Sequence, residues 1–319
     1  MSIPPNPNNT DAILGGQNPL PVNAGILGGI AGAKKKLVHD LELSIEAAHE
    51  LIDNHDLLEF ETITVNSFGK VITSTKKYAF YYTEKLENDV AIDMMYIPSG
   101  NWNLECTEGN KKWLHQISIK QFYLSKSPIT KAQYQAVMGN NPSFFKGEDR
   151  CPVESVTWKD AIDFCERLSN LTGKNYTLPS ESQWQYAFVS GTNTPIYCGD
   201  TITTDLSNYN GKQYKFRNEP TGVYLGKTTP VGKYPPTPWG LYDMHGNVME
   251  WCLDEWHENL IDKPIDGTAW KWRDDNDGQY HIFCGCSYKF FPLDLRGSNC
   301  TYITAGDRYS DIGFRVCRI

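Results

Sequence analysis

The chain has 319 residues, 40% hydrophobic and 13% aromatic, which suffices for one large packed domain with an appendage or for two domains. The 38 acidic against 30 basic residues leave a formal net charge of -8, and no basic run exceeds Lys34-Lys35-Lys36, which argues against nucleic acid as the main partner. No stretch reaches the ~20 apolar residues of a membrane span, no leader-like segment opens the sequence, and nine scattered cysteines read as reduced thiols, so a cytoplasmic location is expected.

Residues 1–32 are rich in Pro, Asn and Gly and read as a flexible arm, within which Ile13-Leu14-Gly15-Gly16 recurs as Ile26-Leu27-Gly28-Gly29. From Ala33 to Leu58, apolar residues at Leu37, Val38, Leu41, Ile45, Ala48, Leu51 and Ile52 follow the three-and-four spacing of one amphipathic helix. Alternating residues at Phe60–Asn66, Val71–Ser74 and Tyr78–Tyr82 around Gly69 predict a hairpin, so that residues 33–88 form an N-terminal helix and hairpin ahead of a domain over 89–319.

Within that domain, helices are predicted over Lys131–Met138, over Lys159–Leu171 between Thr157 and Gly173, and over Ser180–Val189, where Ser180 and Gln183 have capping-box spacing. The remainder reads as short strands and long loops, which need specific internal ties; Trp158, Trp184, Trp239, Trp251 and Trp256 are candidates.

The tail is compositionally skewed: from Ile282 to Asp311 there is one Lys and no Glu, Gln, Met or Trp. An Asn codon ending in a pyrimidine and randomised at both adenines yields every residue type present except that Lys, and never Glu, Gln, Met or Trp. An irregular Gly-, Ser- and Asp-rich surface loop accounts for the same composition. Cys284, Cys286 and Cys300 lack the paired spacing or nearby histidines of a metal site.

Three blocks carry a resemblance. The first runs from Phe122-Tyr123-Leu124-Ser125 through Pro128-Ile129-Thr130, Tyr134, Asn141-Pro142-Ser143 and Val156-Thr157-Trp158. The second is Leu178-Pro179-Ser180-Glu181 with Trp184, and the third is Trp239-Gly240-Leu241-Tyr242-Asp243-Met244-His245-Gly246-Asn247-Val248 with Glu250-Trp251. With the ending Ile312-Gly313-Phe314-Arg315-Val316, these resemble the formylglycine-generating enzyme, or sulfatase-modifying factor, family over roughly residues 89–319. The resemblance implies an α+β, irregular C-type-lectin-like fold with few helices, short strands and many loops.

Aerobic enzymes of that family use two cysteines, five apart, after a Gly-Gly-Ser-aromatic turn, to bind copper(I). Here the turn is Gly285-Cys286-Ser287-Tyr288, and the cysteine positions fall at Phe290 and Leu295, which neither ligate copper nor act as nucleophiles. Ergothioneine-type sulfoxide synthases add an iron-binding helical bundle; His39, His49 and His55 read instead as surface histidines on a helix.

A third branch resembles this chain better: the variable proteins of diversity-generating retroelements, whose lectin-like domain ends in an adenine-mutagenised region, here about residues 283–311. By that resemblance Gly285, Ser287, Pro292, Arg296, Ala305, Gly306, Arg308 and Ile312–Val316 are the frame. The ligand-contacting positions are Phe290, Phe291, Leu293, Asp294, Asn299, Thr301, Tyr302, Ile303, Thr304, Asp307, Tyr309, Ser310 and Asp311, with Tyr288 added and Phe283 and Cys300 marginal. Lys289 departs from the pyrimidine-ended Asn codon.

The expectation is therefore a non-enzymatic binder of a protein or other macromolecular target, needing no cofactor. The N-terminal region is open to a signalling partner. The rival is a divergent oxidase or pseudo-enzyme acting on protein cysteines. The resemblance also implies a structural calcium at Asn247 and Glu250, with Asn208-Tyr209 as a weaker second site whose acidic partner is replaced by Val223; hydrogen bonds to loop amides explain these residues as well.

Overall fold

This computed structural model describes residues 24–41, 44–108, 111–194, 196–260, 262–272, 279–291 and 300–319. Residues 1–23 of the expected arm lie outside them, whereas its end is helical: α1 spans Ala24–Asp40. Gly28, Gly29 and Gly32 hid that helix, because each costs about 1 kcal/mol relative to Ala. The single helix expected from Ala33 to Leu58 is in fact divided between α1 and α2, Ile45–Asn54, whose first turn is capped by Ser44 accepting from the Ala47 amide. Lys34 Nζ donates to the carbonyls of Ile52 and His55, at 2.8 and 2.7 Å, and so ties α1 to the end of α2.

The chain leaves α2 directly into β1, Asp56–Val65, which pairs with β2, Val71–Lys85, around a turn closed by Asn66 Oδ1 accepting from the amides of Phe68 and Lys70. His55 is consequently not a surface histidine. It is buried, stacked on Tyr123 with 5.4 Å between ring centroids, and its Nε2 lies 2.8 Å from the Tyr123 hydroxyl; burial lowers its pKa. Apolar three-and-four spacing does not reveal where a helix hands over to a strand.

The hairpin is the edge of a larger sheet that runs across the expected boundary near residue 89. β3 (Ala91–Ile97), β6 (Phe122–Ser125), β12 (Cys317–Arg318) and β7 (Tyr176–Thr177) complete a six-stranded sheet in the order β1-β2-β3-β6-β12-β7. Between β3 and β6 stands a separate hairpin of β4, Gly100–Glu108, and β5, Lys111–Ile119. A second sheet has the order β10-β9-β8-β11, formed by Cys300–Thr304, Tyr280–Cys284, Met249–Glu255 and Ile312–Phe314.

The three predicted domain helices are present as α3 (Lys131–Met138), α4 (Trp158–Thr172) and α5 (Glu181–Val189). Thr130, Thr157 and Ser180 each form a reciprocal capping box. α3 and α4 end at Gly139 and Gly173 in the left-handed conformation. Buried carboxylates pin the loops between elements: Glu154 accepts from the amides of Phe144 and Phe145, and Glu219 from the Arg217 amide and the Thr201 hydroxyl. Trp184 and Trp251 are buried ties as expected, the latter donating to Val156 O at 3.1 Å, and Trp158 donates to Cys252 O at 2.9 Å.

β11 and β12 are almost consecutive in sequence yet belong to different sheets, and Arg315 lies at the joint, fully buried. Its Nε and Nη2 bond both oxygens of Glu250, while Nη1 and Nη2 reach the carbonyls of Ser125 and Tyr242. Trp184 Nε1 donates to the same carboxylate at 2.6 Å.

Candidate binding surface

The skewed tail is built on the second sheet. Cys284 at the end of β9 stands directly opposite Cys300 at the start of β10, and the two form a disulfide. This corrects the reading of all the cysteines as reduced thiols: scattered spacing conceals a partner that antiparallel register brings face to face. Cys151, Cys165, Cys198, Cys252 and Cys317 are buried thiols outside any disulfide among the described residues.

After β9 the chain turns sharply. Gly285 has φ 85°, and a Cβ there would lie 3.0 Å from the Trp184 ring, so both the dihedral and the close approach require glycine. The following turn is held from within the tail: the Ser287 hydroxyl donates to Asp311 Oδ2 at 2.8 Å, Lys289 Nζ to Asp311 Oδ1 at 2.7 Å, and the Phe290 amide to Ser287 O. The rest of the domain holds it too, through the Tyr288 amide on Asn247 O and the Asn210 amide on Phe290 O.

Beside this turn lies a cavity of about 520 Å³, lined by Met249, Phe283, Phe290, Phe291, Ile303, Tyr309 and Ile312 together with the Lys289–Asp311 pair. Met249, Phe283 and Ile312 are buried members of β8, β9 and β11; Phe290, Phe291 and Ile303 are half-buried, and Tyr309 is 50% exposed. The structure thus brings together five predicted contact residues: Phe290, Phe291, Ile303, Tyr309 and Asp311.

The others are placed differently. Strand alternation turns Tyr302 away from Ile303; its ring packs on Trp256 and Tyr280, with centroids 4.3 and 5.6 Å apart, and remains 39% exposed. Thr301 is exposed, while Thr304, Asp307 and Ser310 are half-buried. Tyr288 is buried against Phe145, its hydroxyl 3.2 Å from Ser310 Oγ, and Asp311 is buried under its two donors. Leu293, Asp294 and Asn299, and the position at Leu295, lie outside the described residues. Lys289 was set aside in the sequence as a codon exception, yet it lines the cavity; that exception was its only signal.

Asn247 is saturated by protein groups. Its Oδ1 accepts from the Thr229 amide and from Asn208 Nδ2, and its Nδ2 donates to Thr229 O and Asp243 Oδ1. Burial raises the pKa of Asp243 to about 6. His245, buried between the rings of Phe188 and Tyr197, has no hydrogen-bond partner on either nitrogen among the described residues, and burial lowers its pKa to about 3. Among the described residues, no group of three or more His, Cys, Asp or Glu is arranged to hold a metal, and no helix is long and apolar enough to cross a membrane.

A family model described as the sulfatase-modifying factor enzyme 1-like domain matches residues 81–319. The formylglycine-generating enzyme of Mus musculus is 30% identical over 219 residues, a match covering 66% of this chain and 54% of the mouse protein. Chaperone protein LppX of Paenibacillus barcinonensis is 28% identical over 211 residues, covering 53% of this chain and 74% of that protein. Among solved structures, Treponema denticola variable protein 1 superposes with a TM-score of 0.62 at 24% identity, covering 75% of this chain and 98% of that one.

Proposed function

Because this chain belongs to the sulfatase-modifying factor enzyme 1-like family, the match taking in three-quarters of its length, we propose that it is a non-enzymatic member: a binding protein whose tail is a retroelement-diversified surface recognising a protein ligand. The observation that carries this reading is the cavity beside the Ser287–Phe291 turn. Phe290, at the position of the first oxidase cysteine, lends an aromatic wall to an apolar cavity instead of a thiolate to copper. The cavity gathers residues of the skewed segment on a base of buried strand residues, the arrangement that lets contact side chains vary while the frame persists.

Within this reading Asn247 and Glu250 are loop ties rather than calcium ligands. Both ends of the Asn247 amide are occupied, and a guanidinium beside Glu250 repels a cation. Tyr288 and Asp311 support the surface from beneath. The test is the DNA flanking the gene: a second copy of the codons for residues 283–316 differing only at adenines, next to a reverse transcriptase gene, is expected. Its absence, or copper-dependent oxidation of a cysteine peptide by the purified protein, would sink the reading.

A further inference from the structure

We propose that the cavity between β9, β10 and the Ser287–Phe291 turn seats an uncharged apolar side chain, aromatic or long aliphatic, presented by the protein ligand; this rests on the binding reading above. The lining decides the chemistry. Met249, Phe283 and Ile312 close the cavity from below, and Phe290, Phe291, Ile303 and Tyr309 surround it with hydrocarbon and ring faces.

Its charged groups are already matched. Lys289 Nζ is 2.7 Å from Asp311 Oδ1, and the other Asp311 oxygen accepts from Ser287. An anionic or cationic ligand group entering here would lose its hydration without gaining a free counter-charge from the described lining residues. A sugar would likewise leave its hydroxyls facing apolar walls.

A volume of about 520 Å³ admits an indole with its neighbouring backbone, well beyond a methyl group. At the rim, the half-exposed Tyr309 hydroxyl offers polar contact to backbone flanking the inserted group. An apolar anchor desolvated in a well-packed pocket is the usual centre of binding energy at a protein interface.

The experiment uses the full chain with ¹³C-methyl-labelled Met and Ile. It is titrated with N-acetyl-tryptophanamide, N-acetyl-leucinamide, N-acetyl-aspartic acid amide and methyl α-glucoside. Saturable shifts of the Met249, Ile303 and Ile312 methyls are expected with the first two probes only, and a tenfold or greater loss of affinity in Ile303→Asp. If that variant fails to fold, Tyr309→Asp at the exposed rim serves the same purpose. No saturable shift, or an equal response to the acidic or sugar probe, overturns the proposal. The two readings fail separately: a missing codon repeat with apolar probes bound removes diversification and leaves the pocket, whereas a codon repeat with no probe bound removes the pocket alone.

Discussion

At the scale of single residues, the largest consequences belong to side chains away from the cavity. Arg315→Met would leave the Glu250 carboxylate, 1% exposed, with the Trp184 indole as its remaining side-chain donor among the described residues. Stripping one member from a buried pair costs about 3–5 kcal/mol, so the urea midpoint should fall accordingly. His245 and Asp243 act oppositely on acid stability. The folded pKa of His245 is lowered to about 3 from 6.5, so below pH 6.5 the unfolded chain takes a proton that the folded one refuses, and stability is lost on acidification. Asp243, raised to about 6 from 3.8, holds its proton better when folded, so it contributes stability that is lost as pH rises from 3.8 through 6. Denaturation at pH 7 and pH 5 should therefore show His245→Phe gaining about 2 kcal/mol on the wild type over that interval, and Asp243→Asn losing ground.

At the scale of elements, the Cys284–Cys300 bridge governs how the tail is held. It joins the ends of β9 and β10 and closes the 285–299 segment into a covalent ring. Cys300→Ser should cost about 2–4 kcal/mol, the usual range for a loop of this length. Thermal unfolding with and without reductant checks it: reductant should lower the wild type to the level of the variant and leave the variant unchanged. Equal sensitivity of both would show that another bond is responsible. The hairpin is similarly joined to a distant loop, since the Val65 amide donates to Cys198 O and a Cβ on Gly199 would lie 2.3 Å from Val65 O.

At the scale of the whole molecule, the N-terminal elements differ in how far the domain depends on them. α1 and the residue that follows it contribute Leu37, Val38 and Leu41 at the margin of a small cluster around Leu51, Phe80 and Tyr96, whereas β1 and β2 supply Phe60, Val65 and Ala79 to the main core and cover the edge of β3. Removal of residues 1–43 should leave a cooperatively folding domain of lower stability. Removal of residues 1–85 should expose β3 as an unpaired edge and yield aggregated chain, read by light scattering and amide exchange. A soluble, folded 86–319 fragment would show that the hairpin is dispensable.

How much was legible follows from the range of the forces involved. The sequence by itself determined the local features: the helices α3, α4 and α5, with the Thr157 and Ser180 signals acting within one turn; the irregular α+β class through its family blocks; and the skewed tail in which five cavity residues were named. Only the tertiary structure decided the division between α1 and α2, the hairpin's membership of the large sheet, the burial of His55 and the disulfide. The same holds for Lys289 and Asp311, whose meeting places one residue in the lining and takes the other out of solvent. Each of these depends on strand register or on partners far apart in the chain, such as Ser125 and Tyr242 around Arg315, and such partners leave no periodicity for a local pattern to show.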